Sequence, residues 1–446
     1  MARMFGTDGV RGVANIELTC SLAFRLGQAA VRFQGPRILV GKDTRLSGDM
    51  LEAAVCAGIT SMGGTALLAG IIPTPAIALL GKQLECDGGI VISASHNPPE
   101  YNGIKLFDGQ GFKLPDEVED RIQEAIESGS LDEGLPAGDA VGTIETVADA
   151  VDRYVHHAVD SIRAQGMNFA GMKIALDCGH GASSMTSFHA LELLGADTRP
   201  MNDRFNGLDI NVQCGSTNLE PLKRYVAETG ADVGIAHDGD ADRVMLVDSQ
   251  GNEIDGDMME AILAIDMKAR GCLPHDTVVS TVMCNLGFVR CMEERGIKVV
   301  QTKVGDRYVL EEMRANGYAI GGEQSGHLIM LEYNSTGDGL MTAVQFLAAV
   351  RRSGMTVDEA AKIFTRYPQE LINVRVSDKD AVKENAAVQA AVKAAEEAMG
   401  DTGRVLLRPS GTEPLVRVMV EAASDEDCKR YSREIADVVI AELGIE

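Results

Sequence analysis

The sequence predicts an α/β protein with three similar α/β domains of mixed sheets around a central cleft, followed by a smaller C-terminal α+β domain. Three segments share one pattern, in which a short apolar run ends in a polar loop and a helix-period stretch closes on glycine: residues 37–64, 172–195 and 277–296. Continuous apolar runs are typical of buried parallel strands, and a terminal glycine is a common helix stop. At about 150 residues per domain, a chain of 446 residues has room for about three such domains.

A second apolar run in each of these predicted domains ends in a distinctive loop. The runs are GGIVISASHNP at 88–98, ADVGIAHDGDADR at 231–243 and GYAIGGEQSGH at 317–327. Ligands of open α/β sheets bind beyond the carboxyl ends of the strands. We therefore expect the three loops to meet at one cleft.

The chain changes character after Tyr367. Two apolar runs at 405–411 and 415–422 flank a polar loop, and they lie between helix patterns at 380–399 and 425–443. With a further run at 372–376, this is the order β-α-β-β-α of a small α+β domain. The sequence therefore predicts four domains, with the bounds 1–152, 153–254, 255–366 and 367–446.

Composition and charge argue against several classes of partner. The formal net charge of −25 disfavours nucleic acid and anionic membrane surfaces, because both need a basic footprint. The nine cysteines form no C-x-x-C pair, which is typical of reduced thiols in a cytosolic protein. The longest apolar stretch, 65–80, is interrupted by Pro73 and Pro75 and is too broken to span a membrane. We expect a cytoplasmic protein without a nucleic-acid or membrane partner, and the sequence leaves a homodimer open.

The first of the strand-end loops carries Ser95 and His96, with Lys105 a short distance downstream. Serine, asparagine and proline are turn formers, so a simple strand-to-turn connection explains the composition. It does not explain a Ser-His pair near a lysine, since a serine hydroxyl becomes a nucleophile only beside a base or a cation. Both interpretations of this loop stay open on the residues alone.

The second loop carries three alternating carboxylates, Asp238, Asp240 and Asp242. In an extended segment they lie on one side, and their mutual repulsion is costly unless a cation neutralises it. Hard oxygen ligands favour Mg²⁺ or Ca²⁺. An EF-hand is excluded, because Arg243 stands where that motif needs glycine and Ser249 where it needs glutamate. The sequence therefore predicts a magnesium site, with a turn or helix cap as the alternative.

The third loop contains Glu323, Ser325 and His327. A carboxylate and a hydroxyl accept hydrogen bonds from sugar hydroxyls, and histidine titrates near neutral pH. The loop occupies the same place in the third repeat as the first two loops do in theirs, which favours a functional role. A purely structural histidine is the alternative. Gly305-Asp306-Arg307-Tyr308, which opens a predicted helix in the same repeat, is a weaker signal.

The fourth loop joins the two C-terminal strand patterns and suits a phosphate group. It combines guanidinium groups with hydroxyls and a glycine: Arg408, Ser410, Gly411, Thr412 and Arg417. Such a set offers charge-assisted hydrogen bonds and exposed N–H groups to an anion. A polar hairpin loop is the alternative. The sequence lacks the motifs of P-loop nucleotide hydrolases, zincins, α/β-hydrolases and simple dinucleotide-binding proteins.

These loops, in this order and together with FGTDGVRG at 5–12, resemble the α-D-phosphohexomutase superfamily over the whole chain. The variants ISASHNP, DGDADR and GGEQSGH are most similar to its bacterial members that act on glucosamine phosphates. The resemblance implies an isomerase that interconverts glucosamine 6-phosphate and glucosamine 1-phosphate, on the route to UDP-N-acetylglucosamine and peptidoglycan precursors. It also implies glucosamine 1,6-bisphosphate as intermediate and primer. The Pro-Pro-Glu-Tyr stretch at 98–101 is more typical of the phosphomannomutase/phosphoglucomutase relatives, which are the alternative.

The resemblance also implies roles for residues of the first two loops. Ser95 matches the serine that carries a phosphoryl group. One Mg²⁺ per chain would be held by phosphoserine 95 and the three aspartates of the second loop. Four residues match polar groups around the reacting phosphoryl and the substrate: Arg11, Lys105, Arg243 and His327.

Substrate contacts are implied for the other two loops. Glu323 and Ser325 match the pair that contacts the 3- and 4-hydroxyls of the sugar. The non-reacting phosphate would lie on the fourth loop, at Arg408, Ser410, Gly411, Thr412 and Arg417. Two other classes stay open: a Mg²⁺-dependent phosphatase, which would release phosphate without a bisphosphate primer, and a non-catalytic sugar-phosphate sensor.

Overall fold

The structure, a computed structural model, describes residues 3–6, 8–410 and 414–445. The chain divides into two compact units, Met1–Met283 with Gly296–Ile363 and Cys284–Arg295 with Phe364–Glu446. The first unit holds three mixed sheets with their helices, and the second holds an antiparallel sheet with its helices. The predicted fold class of three α/β domains and a C-terminal α+β domain is confirmed. The domain bounds stay a prediction.

Six strands and four helices form the first part of the chain. The strands are β1 (Val10–Val13), β2 (Arg37–Lys42), β3 (Thr65–Ile71), β4 (Gly88–Ile92), β5 (Tyr101–Asp108) and β6 (Ile144–Thr146). The helices are α1 (Cys20–Gln34), α2 (Gly48–Ser61), α3 (Thr74–Gln83) and α4 (Asp116–Ser128). The strand order is β1-β5-β4-β2-β3-β6. The sheet is mixed because β5 runs antiparallel to both β4 and β1, whereas β2 is parallel to β3 and β4.

The second sheet has five strands. They are β7 (Lys173–Asp177), β8 (Asp197–Met201), β9 (Val233–His237), β10 (Val244–Asp248) and β11 (Glu253–Ile254), in the order β11-β10-β9-β7-β8. The accompanying helices are α5 (Ala150–Arg163), α6 (Ser187–Leu193) and α7 (Glu220–Thr229). Strand β7 is parallel to β8 and β9, and β10 turns back antiparallel to β9.

The third sheet has the order β13-β12-β14-β15. Its strands are β12 (Thr277–Thr281), β13 (Lys298–Thr302), β14 (Ile320–Gly322) and β15 (Leu328–Met330). Five helices belong to this stretch of chain: α8 (Gly256–Ala269), α9 (Leu286–Glu294), α10 (Asp306–Asn316), α11 (Gly339–Ser353) and α12 (Val357–Ala360). Helix α9 belongs to the second compact unit.

The C-terminal part has the order β-α-β-β-α predicted from the sequence. Its elements are β16 (Gln369–Arg375), α13 (Ala386–Met399), β17 (Arg404–Pro409), β18 (Leu415–Glu421) and α14 (Asp425–Leu443). The strands form an antiparallel sheet in the order β16-β18-β17. Helix α13 begins six residues later than the predicted 380, because the side chain of Asn385 caps it by accepting a hydrogen bond from the Val388 N–H.

The repeated sequence pattern corresponds to repeated structure. Each of the three segments forms a parallel strand followed by a helix: β2 and α2, β7 and α6, and β12 and α9. The three distinctive loops follow β4, β9 and β14. Every residue of β4 and β9 is buried, as expected for strands covered on both faces. The loops therefore start from rigid positions.

Helix α11 begins against the second loop. It is buried from Gly339 to Val350, and Asp338 caps its N-terminus by accepting a hydrogen bond from the Met341 N–H at 2.9 Å. A Cβ on Gly339 would lie 2.5 Å from the Arg243 carbonyl oxygen, so only glycine fits where the helix meets the second loop. Among the described residues, no helix is both long and apolar enough to cross a membrane.

Helices α1 and α2 cross at very short distance because each carries a glycine at the crossing. A Cβ on Gly27 would lie 2.3 Å from the Val55 carbonyl oxygen, and a Cβ on Gly58 would lie 2.1 Å from the Phe24 carbonyl oxygen. Both added Cβ atoms would clash with backbone atoms, which cannot rotate away as a side chain can. The pair therefore packs only while both positions stay without a side chain.

Gly58→Ala is expected to destabilise the first unit. The clash with the α1 backbone costs about 1–3 kcal/mol of overpacking energy, which outweighs the gain of up to about 1 kcal/mol from alanine in a helix. Urea unfolding followed by circular dichroism measures the change in the free energy of unfolding. Gly81→Ala is the matched control, since Gly81 is also helical but has nothing within 4 Å of an added Cβ. Equal unfolding midpoints for the two variants would show that the close crossing is unimportant.

Candidate active site

Three of the loops singled out from the sequence meet in the first unit. The hydroxyl of Ser95, after β4, donates a hydrogen bond to Asp238 Oδ2, after β9, at 2.7 Å. The second loop reaches the third, which follows β14, where Asp242 Oδ1 lies 3.8 Å from His327 Nδ1. Lys105 of β5 donates to Asp242 Oδ2 at 3.2 Å. These contacts confirm the predicted meeting of the three loops.

Ser95 lies in a strained turn that directs its hydroxyl at the acidic loop. Its φ of 52° is in the left-handed region, which residues with a Cβ seldom adopt. The Ser93 hydroxyl accepts a hydrogen bond from the Ser95 N–H, and Asn211 donates to the Ser95 carbonyl oxygen, both at 2.9 Å. The residue is only 1% exposed. A hydroxyl held beside a carboxylate in this way favours a nucleophile over a simple turn former.

Arg45, which the sequence analysis did not single out, holds the first loop in shape. It is buried, and its guanidinium donates to Asp43 Oδ2 at 2.9 Å. Its two terminal nitrogens donate, at 2.5–2.9 Å, to four backbone carbonyl oxygens of the loop: those of Ser95, Asn97, Pro98 and Tyr101. No motif marks Arg45, because carbonyl acceptors are provided by any residue type.

The three aspartates of the second loop are buried together. One carboxylate oxygen each of Asp238, Asp240 and Asp242 lies within 4.8 Å of the others. Burial, together with the charges of Asp242 and Asp240, raises the pKa of Asp238 well above its ordinary value. Asp240 Oδ1 has no hydrogen-bond partner among the described residues although it is buried. A compact set of hard oxygens with an unsatisfied acceptor fits a divalent cation.

Lys105 is the main counter-charge of this acidic cluster. It is 1% exposed, and its ammonium lies 2.8 Å from Asp240 Oδ2 and 2.9 Å from Asp8 Oδ2. Burial alone would lower its pKa, but Asp240, Asp8 and Asp242 together raise the pKa of Lys105 well above its ordinary value. Burial alone would likewise raise the pKa of Asp242, which Lys105 and His327 hold well below its ordinary value. Lys105 is therefore a permanent cation at neutral pH.

His96 is a neutral imidazole in this site. Its Nδ1 lies 3.2 Å from Ser95 Oγ and 3.2 Å from Arg243 Nη1. Burial, together with the charges of Arg243 and Arg11, lowers the pKa of His96 to about 4. Because a guanidinium can only donate, the neutral Nδ1 accepts the hydrogen bond from Arg243. The ring then lies beside the Ser95 hydroxyl, whose proton is directed at Asp238, without adding charge.

The loops line a cavity of about 270 Å³. Its polar lining includes five residues predicted for the site: Arg11, Asp242, Arg243, Glu323 and His327. Asp8 and Asp306 also line it, as does Lys113, which no motif marks. The volume lies just under the range of about 300–1,000 Å³ typical of ligand pockets, and the lining suits a compact, highly polar ligand.

The predicted residues of the third loop lie in different environments. Glu323 lines the cavity, where its Oε1 accepts a hydrogen bond from the Gly305 N–H at 3.1 Å. Ser325 is exposed. His327 Nε2 accepts a hydrogen bond from the Gly337 N–H at 3.2 Å, which leaves the ring proton on Nδ1, the nitrogen nearer Asp242.

The fourth loop lies in the second unit, between β17 and β18. Arg408 and Arg417 stand directly opposite each other on these strands, and burial together with Arg417 lowers the pKa of Arg408. Ser410 is buried, and its carbonyl oxygen accepts a hydrogen bond from Lys379 at 2.7 Å. The predicted residues Gly411 and Thr412 lie outside the described residues. Adjacent guanidinium groups in a chain of net charge −25 make this loop a local site of positive potential.

Four segments of the chain match, in order, the four domains of one family. The phosphoglucomutase/phosphomannomutase alpha/beta/alpha domains I, II and III match residues 2–133, 152–251 and 255–367, and the C-terminal domain of the same family matches residues 371–438. The chain therefore belongs to the phosphoglucomutase/phosphomannomutase family, whose members are isomerases that move a phosphoryl group on a sugar.

Within this family, the chain is similar to phosphoglucosamine mutase. The phosphoglucosamine mutase of Shouchella clausii is 50% identical over 449 residues, which cover 100% of both chains. A phosphoglucomutase/phosphomannomutase family protein of Burkholderia thailandensis matches with a TM-score of 0.85 and 24% identity over 99% of each chain. N-acetylphosphoglucosamine mutase of Aspergillus fumigatus, solved in complex with GlcNAc-6P and magnesium, matches with a TM-score of 0.69 and 18% identity over 98% of this chain and 95% of that chain. The two solved structures share the fold.

Arg45→Lys is expected to lower turnover by about tenfold or more. An ammonium has three donors, so at least two of the five hydrogen bonds of Arg45 are lost, and each contributes about 0.5–1.5 kcal/mol. Steady-state kinetics on hexose phosphates gives the loss in kcat. Arg32→Lys is the control, because Arg32 also donates to a backbone carbonyl oxygen, that of Glu133, but at the surface. If both variants keep wild-type kcat, Arg45 does not hold the first loop in its reactive shape.

Proposed function

We propose that this chain is a phosphoglucosamine mutase, which interconverts glucosamine 6-phosphate and glucosamine 1-phosphate. The observation that carries the proposal is the buried hydroxyl of Ser95, fixed in a strained turn 2.7 Å from Asp238 Oδ2. Full-length identity of 50% to a phosphoglucosamine mutase supports the choice of glucosamine. The proposed location is the cytoplasm, where the product would supply UDP-N-acetylglucosamine and peptidoglycan synthesis.

In the proposed reaction Ser95 carries the phosphoryl group between the two ends of the sugar. The phosphorus–oxygen bond to Ser95 breaks as a bond to the free sugar hydroxyl forms, and the hydroxyl proton ends on the serine oxygen. The product of this half-reaction is glucosamine 1,6-bisphosphate. The bisphosphate then rotates in the site so that its other phosphate faces Ser95. That phosphoryl group passes to the serine oxygen, the serine proton moves to the sugar oxygen, and the isomeric monophosphate leaves.

The residues around Ser95 supply the positioning and charge stabilisation that phosphoryl transfer requires. Lys105 is a buried permanent cation, and Arg11 and Arg243 bring guanidinium groups to the cavity wall. We propose that Asp238, Asp240 and Asp242, together with phosphoserine 95, hold one Mg²⁺. When bound, this ion would neutralise charge on the transferring group.

Two other sets of residues would bind the sugar and its second phosphate. Glu323, fixed by the Gly305 N–H, faces the cavity and would accept hydrogen bonds from the sugar hydroxyls, with Ser325 beside it in sequence. The fourth loop would hold the non-reacting phosphate through Arg408, Ser410, Gly411, Thr412 and Arg417. Because either phosphate must occupy that site in turn, it should bind the phosphate and do no chemistry.

Ser95→Ala is expected to abolish turnover while leaving the fold intact. Loss of the carrier hydroxyl removes the covalent route, so kcat should fall by about 10³-fold or more. Both proteins are purified from a strain without its own mutase. The wild-type protein is assayed on glucosamine, glucose and mannose 1-phosphates, and a preference for glucose or mannose would identify a phosphoglucomutase or phosphomannomutase instead.

Intact-mass measurement completes this test. Wild-type protein primed with glucosamine 1,6-bisphosphate should gain one phosphoryl group, lost in Ser95→Ala and kept in Ser130→Ala, a serine control from the same part of the chain. Stoichiometric release of inorganic phosphate without any primer would point to a phosphatase and overturn the proposed function.

Removing metal or one of its proposed ligands is expected to stop turnover. Asp240→Asn keeps the shape of the side chain but removes one charge. Loss of a residue that only hydrogen-bonds a metal ligand already lowers metal affinity by about 10–100-fold. Loss of a ligand charge should therefore lower the Mg²⁺ affinity by at least that factor. Calorimetric titration of Mg²⁺ measures the affinity, and chelation followed by return of Mg²⁺ should abolish and restore activity. Asp197→Asn, an exposed aspartate of β8, is the control. Full activity in excess chelator would rule out the metal role.

A further inference from the structure

Lys113 joins two carboxylates that come from distant parts of the sequence. Its ammonium lies 2.5 Å from Asp8 Oδ1 and 2.5 Å from Asp306 Oδ2. Lys113 follows β5, Asp8 precedes β1, and Asp306 is the first residue of α10. The three side chains are only 11%, 17% and 14% exposed. The lysine therefore ties the first sheet to the helix that leads into the third loop.

The two carboxylates continue into the site on both sides of Lys113. Asp8 Oδ2 lies 2.9 Å from the Lys105 ammonium, and Asp306 Oδ2 lies 3.5 Å from His327 Nε2. Lys105 and His327 in turn both face Asp242, at 3.2 Å and 3.8 Å. These side chains form a closed set of polar contacts, whose charged members are Asp8, Lys113, Asp306, Asp242 and Lys105.

The start of α10 contacts the third loop at two points, one of which is a hydrogen bond. The Gly305 N–H donates to Glu323 Oε1 at 3.1 Å, and the next residue, Asp306, faces His327. A shift of this helix end would therefore move the sugar-facing carboxylate and the histidine together. On the cavity side, this helix end is paired with Lys113 through Asp306.

We propose that Lys113 and Asp306 are positioning residues, which hold Glu323 and His327 of the third loop at the distance from Ser95 that phosphoryl transfer requires. This proposal deepens the mutase activity proposed above and rests on it. Loss of Lys113 leaves Asp306 without its cation in a nearly buried place, and loss of the Asp306 charge leaves Lys113 paired with Asp8 alone. In either case the contact between Lys113 and the helix end is broken, and the helix end has to move or take up water. A displacement of about 1 Å of positioning groups is enough to cost about 10²-fold in rate.

A second contact between the same elements provides a matched control. Arg307 donates to the Leu114 carbonyl oxygen at 3.0 Å and pairs with Glu119 at 3.1 Å, so it also ties α10 to the start of α4. It is not among the residues that line the cavity in the described part of the chain. If ties between these elements matter only for stability, variants of Lys113 and Arg307 should behave alike.

The test compares Lys113→Met, Asp306→Asn, the double variant and Arg307→Met by steady-state and single-turnover kinetics and by thermal unfolding. Lys113→Met and Asp306→Asn should each lower kcat and the single-turnover rate by about 10²-fold with a smaller change in KM. The double variant should fall within about threefold of the worse single variant, because the second change removes a pair that is already broken. Arg307→Met should lower the unfolding temperature but keep kcat within about threefold of wild type.

Asp306→Asn keeps the side-chain shape and carries the test alone if Lys113→Met does not fold. A kcat within threefold of wild type for Asp306→Asn, or losses in the double variant that multiply, would overturn the proposal. So would equal losses of kcat in Arg307→Met and Lys113→Met. Wild-type protein without turnover on glucosamine, glucose or mannose phosphates would overturn the proposed function itself, and this proposal with it, before any variant is compared.

Discussion

The burial of three carboxylates in one short loop is the constraint on which the rest of the site depends. Asp238, Asp240 and Asp242 are taken out of water together, and such a group is stable only if cations lie beside it. Lys105 supplies one, and it is itself buried, so it needs further carboxylates such as Asp8. Compensation of charge therefore spreads from the second loop into neighbouring elements, and it fixes how the first three sheets meet.

The fold supports this charge arrangement with rigid starting points. The loops leave the ends of strands β4 and β9, whose residues are all buried, and α11 begins directly against the second loop at a position where only glycine fits. Little backbone freedom is left at the points from which the side chains of these loops project. A reaction that depends on placing two charged groups needs preorganisation of this kind. The entropy cost of ordering the groups is then met when the protein folds and not during the reaction.

Local signals in the sequence were enough for the elements of the fold and for the meeting of the first three loops, whereas the roles of the individual site residues stay predictions. Apolar runs predicted β4, β9 and β14, and the motif residues Ser95 and Asp238 lie in contact as the meeting of the loops requires. The sequence analysis did not find Lys113 or Arg45. The partners of Lys113 are far away in the sequence, and most of those of Arg45 are backbone carbonyls, so neither residue leaves a local pattern. The start of α13 was also misplaced, since a capping asparagine decides a helix boundary more sharply than periodicity does.

Arg45 has a consequence for how this enzyme could diverge. Four of its five hydrogen bonds reach main-chain oxygens and one reaches Asp43, so it recognises the path of the first loop and not the side chains on it. The segment around Ser95 can then exchange its side chains, as in the Pro-Pro-Glu-Tyr stretch, while keeping its course. Substitutions can accumulate there without first rebuilding the loop, so the sequence of this segment can drift while the Ser95 hydroxyl keeps its place beside Asp238.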